Sequence, residues 1–239
     1  MRRLPKKLWR VTYDENQKAI LDLLDYNPSA KALDCGCHNG EFTREIGQKI
    51  GTKHLYGIEL AEARVQEAED KGIKVYPANL NERLPLDDET FDIITANQLI
   101  EHLYHTDTFV KEIWRALKWG GVAVISAPNL ASLHSIFSLI LGYQPLTAFV
   151  SDEVRAGTLF VLQPELPPAG CIYPAQSHLR IFTGRALKEL LEYHGFQVER
   201  LVGTGYYPFT GKIARLASWI DARHSVNVTI KARKVRIST

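Results

Sequence analysis

Two groups of residues have types and spacing that could do chemistry. The stretch ALDCGCHNGEF, from Ala32 to Phe42, crowds two glycines, two cysteines, a histidine and an acid into one short turn after an apolar run. QLIEHL sets Glu101 beside His102, and a further histidine, His178, lies in SHLRIF. Thiolates can hold a metal, and a glycine turn that opens a helix can hold phosphate or wrap a nucleoside. A carboxylate beside an imidazole can move a proton.

The first turn can be narrowed by elimination. Structural zinc sites pair cysteines two to four residues apart and need a second pair. Cys35 and Cys37 have none, and the third cysteine, Cys171, is far away in sequence. They read as small packed thiols. A dinucleotide turn would be G-x-G-x-x-G, with phosphate on the helix N-terminus. From Gly36 the chain reads G-C-H-N-G-E, so Glu41 puts negative charge where a phosphate would sit. A cofactor with a ribose but no phosphate fits better. Gly36 and Gly40 permit close backbone approach, and Asp34 can accept from an amine. Glu59, 19 residues beyond Gly40, can accept both hydroxyls of a ribose.

Elements that position these residues follow from periodicity. DENQKAILDLLDYN reads as a helix capped by Asp14 or Asn16 and ended by Asn27-Pro28. KALDCG, HLYGIEL, KVYPANL, FDIITANQL and GVAVISAPN read as five buried strands. The helices EFTREIGQKIG, EARVQEAEDKG and TDTFVKEIWRALKWGG alternate with them, which indicates parallel βαβ units under two helical layers. A helix in LASLHSIFSLILG leads into a proline-punctuated stretch, 143–178, too long for an ordinary connector and read as a lid over the substrate. The helix GRALKELLEYHG, the strand FQVERLVG, the amphipathic GKIARLASWIDAR and the strand VNVTIKARKV complete the chain.

With these elements in place, Asp34-Cys35-Gly36-Cys37-His38-Asn39-Gly40 resembles the D-x-G-x-G-x-G motif of class I S-adenosylmethionine-dependent methyltransferases. GIEL, ANLNERLPLDDETFD, ANQLIEHL and ALKWGGVAVISAPN match that family in order and spacing, and HLRIFTGRALKELLEYHGFQVE resembles the late segment of its small-molecule subgroup. The likeness implies an α/β, Rossmann-like, doubly wound sheet of seven mostly parallel strands with the last one antiparallel. It also implies one methyltransferase domain over residues 1–239, with S-adenosyl-L-methionine as cofactor. Asp34, Gly36, Cys37 and Gly40 would surround its methionine part, Glu59 would hold the ribose and Leu60 would lie beside the adenine. Asn79 and Leu80 would run along the adenine edge, where the family more often has an Asp. Asn97 and Gln98 would offer backbone near the methionine end. His38 departs from the usual middle glycine and is read as tolerating the turn. Trp9 and Tyr13 could cover the cofactor.

The acceptor side is read from Glu101, His102 and His178. One reading makes His102 or His178 a general base for a hydroxyl. Another adds Gln98 and makes a divalent-metal site like the E-x-x-E-H motif of some relatives of this fold; Gln98 replaces the first Glu there, and no metal ligand is assigned. The bland alternative is that Glu101 and His102 only cap the next helix. His134 reads as a satisfied packing residue.

The composition, 239 residues with 45% hydrophobic and 23% charged, suits a globular chain with a full core. Three cysteines fit a reducing cytoplasm, and no export signal or spanning segment is read. The net charge of +2 hides basic ends: five cations in the first ten residues, and seven against Asp221 over 211–239. Such ends suit phosphates or anionic lipid, or are simply solvated. The reading is methyl transfer to a hydroxyl, or a carboxylate, of a small-molecule, sugar or lipid-linked acceptor. Its rivals are an RNA or protein methyltransferase using the basic ends, and a cofactor-binding regulator without turnover. Peripheral membrane contact through Arg2–Arg10 and the IFSLIL helix is compatible with all of these, and the oligomeric state is left open.

Overall fold

In a computed structural model, residues 2–3, 6–151, 156–161 and 178–236 are described. Seven strands form one sheet: β1 (Ala32–Cys35), β2 (Leu55–Glu59), β3 (Lys74–Pro77), β4 (Phe91–Asn97), β5 (Leu117–Pro128), β6 (Phe196–Thr204) and β7 (Asn227–Lys234). Their order is β3-β2-β1-β4-β5-β7-β6. Strands β1 to β5 pair in parallel, and β7 is antiparallel to both β5 and β6. The mostly parallel sheet and its antiparallel last strand are therefore as the sequence implies. Two short strands, Arg2–Arg3 and Phe160–Val161, pair with each other apart from the sheet.

Helices α1 (Lys6–Asp22), α2 (Glu41–Ile50), α3 (Glu62–Glu69), α4 (Thr106–Ala116), α5 (Leu133–Ile140), α6 (Gly184–Tyr193) and α7 (Gly211–Ile220) connect the strands. The two-residue period of the strands divides the core between two layers. Ile93, Val122 and Val124 pack with Ile20 of α1, with Leu23 and Leu24 just after it, and with Ile46 and Ile50 of α2. Their strand neighbours Ile94, Ala123 and Ile125 pack on the other face, with Phe109 and Ile113 of α4 and Leu187 and Leu191 of α6. Apolar runs buried on both faces are what a parallel sheet demands. They also leave the carboxyl ends of β1, β2 and β4 aligned, with Cys35 opposite both Ile58 and Ala96.

Three boundaries differ from the sequence reading, one being that helix α1 ends at Asp22, ahead of Asn27-Pro28. Helix α4 stops at Ala116, because Leu117 turns extended to open β5 with its side chain fully buried. Helix α1 begins at Lys6, so neither Asp14 nor Asn16 caps it. Asn16 is instead a wholly buried mid-helix residue. Its Nδ2 donates to Asn97 Oδ1 at 2.7 Å and to Ser126 Oγ at 3.2 Å, and its Oδ1 accepts from Thr229 Oγ1 at 3.2 Å. The helix is thereby keyed to the tips of β4 and β5. Asn16→Ala leaves those partners unsatisfied and is expected to lower stability by about 2–3 kcal/mol. A urea midpoint unchanged from wild type would show that the network contributes nothing.

Candidate active site

The turn after β1 is held in an alternating left-handed conformation, with φ of 74° at Gly36, 49° at His38 and 78° at Gly40. Gly36 and Cys37 both donate backbone N–H to the carbonyl of Ile58, which fastens the turn to β2. The glycines serve different ends. Gly36 is exposed, with Leu99 at its Cβ side. A Cβ on Gly40 would fall 2.5 Å from Ile73 Cδ1 and 3.0 Å from Ala68 Cβ, so the space it leaves is filled by the protein's own packing. Cys37 packs its Sγ where a Cβ on Gly57 would stand. Burial pushes the Cys37 thiol up to about 12 and holds the Cys35 thiol well above its ordinary range, so both stay protonated and packed, as the sequence reading has them.

Asp34 lies beneath this turn on the α1–α2 face. Its two carboxylate oxygens accept hydroxyl hydrogen bonds at 2.7 Å from Thr43 of α2 and Thr95 of β4. Burial outweighs both bonds and raises its pKa to about 6. The folded chain thus holds a proton that the unfolded chain has released from about pH 4 upwards. Stability is lost as pH rises from about 4 through about 6, by about 3 kcal/mol in all. The wild-type stability, measured against Asp34→Asn by urea titration at pH 4 and 7, should fall by that amount. A difference independent of pH would contradict it.

At the tip of β2 the Glu59 carboxylate is buried and already engaged. It accepts backbone N–H from His38 at 3.0 Å, Leu60 at 2.8 Å and Ala61 at 3.0 Å. It therefore ties the two turns together. Leu60, next to it, is 66% exposed, an apolar side chain held out at the strand tip. After β3, Asn79 Oδ1 accepts from the backbone and side-chain nitrogens of Asn81, and Asn79 Nδ2 donates to Glu82. Leu80 departs from an edge position: its side chain is in the core with Leu84 and Leu86.

Asn97 and Gln98 sit at the end of β4. Asn97 Oδ1 accepts from Asn16 Nδ2 and from Ser126 Oγ, and Gln98, at φ 50°, donates its N–H to Ser126. The Gln98 amide Nε2 also donates to Ser126 Oγ, at 3.3 Å. Tyr13 of α1 lies close enough to this corner that, after burial, the Asp34 charge is the next cause of its raised phenol pKa. The side chain of Trp9 lies outside the described residues.

The 3₁₀ turn Ile100–His102 follows directly. The backbone carbonyl of Glu101 accepts N–H from Leu179 at 2.7 Å and Arg180 at 3.0 Å, which brings the end of the 143–178 stretch onto the turn. His178 thereby meets His102, with ring centroids 5.2 Å apart, and Phe149 lies 4.7 Å from the His178 ring. His178 Nδ1 is 2.9 Å from the carbonyl of Thr147. A carbonyl only accepts, so Nδ1 carries a hydrogen and donates it there. Glu101 is 2% exposed, and burial pushes its carboxyl up to about 8. Its Oε1 is 3.8 Å from His102 Nε2, and its Oε2 has no hydrogen-bond partner among the described residues. One ligand-capable atom from each of Glu101, His102 and His178 lies within 4.8 Å of the others.

Sequence reasoning missed Thr43, Thr95, Ser126 and Asn16. Asn16 had a signal, since it stands on the same helical stripe as the buried Ile20. His134 packs against Tyr207, with centroids 5.2 Å apart, and burial lowers its pKa to about 4. It is not fully satisfied, however: its Nδ1 is buried with no hydrogen-bond partner among the described residues.

Similarity to known proteins agrees with this geometry. Residues 8–201 match a sequence family described as a methyltransferase domain. The mitochondrial ubiquinone biosynthesis O-methyltransferase of Homo sapiens is 26% identical over 190 residues, covering 76% of this chain and 45% of that protein. A protein named as a probable S-adenosylmethionine-dependent methyltransferase of Mycolicibacterium smegmatis is 31% identical over 177 residues, 71% of this chain and 64% of its own. The chain thus spans about half to two-thirds of these relatives. In structure it is similar to an S-adenosylmethionine-dependent methyltransferase of Mesorhizobium loti, with a TM-score of 0.62 at 18% identity over 92% of this chain and 99% of that one. With its sheet order, its glycine turn and the match over most of its length, the chain belongs to the class I S-adenosylmethionine-dependent methyltransferases.

Proposed function

We propose that the protein transfers a methyl group to a hydroxyl, or a carboxylate, of a small-molecule, sugar or lipid-linked acceptor. The reading treats 1–239 as one domain, with 143–178 as the segment that covers the acceptor; residues 152–155 and 162–177 of it lie outside the described residues. The observation that carries the proposal is the meeting of His102 and His178 beside buried Glu101, beyond the strand tip that bears Asn97 and Gln98.

The residues present fit the family's cofactor. A left-handed turn with exposed Gly36, a carboxylate at the β2 tip and an outward leucine beside it suit a nucleoside that carries no phosphate. S-adenosyl-L-methionine, when bound, supplies an electrophilic methyl group and a neutral thioether as leaving group. Asp34, Gly36, Cys37 and Gly40 would line its methionine part, with Asn97 and Gln98 at the reacting end. Glu59 would accept from the ribose, Leu60 would face the adenine, and Asn79 with the backbone of Leu80 would border it. The chain's own work is alignment and removal of the acceptor's proton. His178, its ring oriented by the Nδ1 bond to Thr147, is the base assigned to that step, and His102 lies alongside.

The compact Glu101, His102 and His178 set, with a buried and unpartnered carboxylate oxygen, favours a second reading in which a divalent cation lowers the acceptor's pKa. Labelled S-adenosylmethionine offered with phenols, sugars, carboxylic acids, amines and RNA tests both. Transfer to hydroxyl or carboxylate oxygen, unaffected by a chelator, is expected. Loss on chelation with recovery on adding the cation supports the second reading, and transfer confined to amines or RNA would refute both. The cytoplasm as location rests on cysteine usage alone. No helix among the described residues is long and apolar enough to cross a membrane.

A further inference from the structure

We propose that α5 and α7 together form a docking face for the surface of an anionic lipid bilayer. Both helices are seated with small residues inward and large apolar residues outward. Helix α7 rests through Ala214 and Ser218, one turn apart, and Ser218 Oγ donates to the Gly205 carbonyl at 3.1 Å. Its large side chains Ile213, Leu216, Trp219 and Ile220 are turned out, Trp219 being 82% exposed. Helix α5 repeats the arrangement, with Ser135 and Ser138 buried and Phe137, Leu139 and Ile140 outside, Ile140 at 75%. A surface helix of a globular protein ordinarily does the reverse.

The two helices are neighbours. They leave the sheet at the carboxyl ends of β5 and β6. Asn129, ahead of α5, donates Nδ2 to the carbonyls of Arg223 and Ser225, just after α7, at 2.7 and 2.8 Å. His134 of α5 meets Tyr207 in the segment before α7. Contiguous apolar surface of this kind marks an interaction site.

Charge points to the occupant. From Trp119 to Ser151 the chain has no Asp, Glu, Lys or Arg, so α5 carries no charge that resists leaving water. Around α7 the outward cations are Lys212, Arg215 and Arg223; Arg215 lies 3.7 Å from Glu15 and Arg223 lies 3.5 Å from Asp221, both on arginines with most of their side chains in solvent. Asp221 is also engaged by Tyr206 at 2.9 Å and His224 at 2.6 Å, so its charge is offset within the protein. Lys212 shares a helix face with Leu216 and Trp219, four and seven residues on. Lysine within an apolar stripe is depleted from the cores of protein–protein interfaces. At a bilayer its stem lies along the apolar boundary while its ammonium reaches the headgroups, and tryptophan concentrates at the same depth. The inference stands apart from the identity of the acceptor.

The test is co-sedimentation of the full chain with phosphatidylcholine vesicles containing roughly one-third phosphatidylglycerol, against phosphatidylcholine alone. Wild type should pellet with the mixed vesicles, and Trp219→Ser/Ile220→Ser and Phe137→Ser/Ile140→Ser should each lose at least about tenfold in partitioning. Lys212→Glu/Arg223→Glu should lose the preference for the anionic lipid. Circular dichroism and S-adenosylhomocysteine affinity should be unchanged in all three, which separates a lost contact from a lost fold. Wild type left in the supernatant would overturn the proposal, as would variants that partition like wild type. So would sedimentation that finds a dimer which the Trp219→Ser/Ile220→Ser variant dissociates, since the face would then belong to a second copy.

Discussion

On the proposed ribose-binding role, replacing Glu59 with alanine is expected to weaken S-adenosylhomocysteine binding by about 100-fold, since a buried carboxylate that accepts two hydroxyls contributes a few kcal/mol. The geometry adds a second effect. The same carboxylate accepts three backbone N–H groups, from His38, Leu60 and Ala61. Alanine therefore also unties the turn after β1 from the turn after β2, at a cost of about 2–4 kcal/mol of stability. Glu59→Gln separates the two contributions. It keeps the length and one acceptor oxygen, but turns an NH₂ group toward donors that need an acceptor. Calorimetric titration of both variants, alongside their melting temperatures, gives the comparison. Affinity within threefold of wild type in a folded Glu59→Ala protein would remove Glu59 from the ribose site.

The second large effect is expected at the imidazole pair. His178→Ala should lower kcat by about 10²–10⁴, the range for loss of a positioned base, with cofactor affinity unchanged. His102→Ala should fall in the same direction. The double variant should lose little more than the worse single one, since residues that act as a unit are not additive. Activity of the variants should climb with pH for phenolic acceptors, which then ionise without help. Near-normal turnover in both single variants would leave the turn at Ile100–His102 with a purely structural role.

The parts of the fold set by local pattern were legible in the sequence, and those set by tertiary partners were not. Val122 and Ala123 alternate between two cores because a strand's period is two, so the doubly covered sheet could be read from GVAVISAPN. Gly36 and Gly40 signalled a turn with close backbone approach, and both adopt positive φ. The sequence did not say that Gly40 makes room for Ile73 and Ala68, because those contacts come from residues nearly thirty positions or more away. Asn16 looked like a cap because asparagine favours helix starts, yet its partners Asn97, Ser126 and Thr229 lie on three other strands. Glu101 and His102 were visible as a pair. His178 was grouped with them on the acceptor side, but the contact itself was not legible, because it depends on the Leu179 and Arg180 hydrogen bonds.

Those two hydrogen bonds have an evolutionary consequence. They anchor the downstream end of the 143–178 segment to the backbone of Glu101, not to any side chain. A main-chain anchor does not depend on which side chains stand at Leu179 and Arg180, so the place of His178 is set by backbone geometry and not by their identity. On the proposed function, the residues that flank His178 can then change in sequence without disturbing the half of the molecule around Asp34 and Glu59.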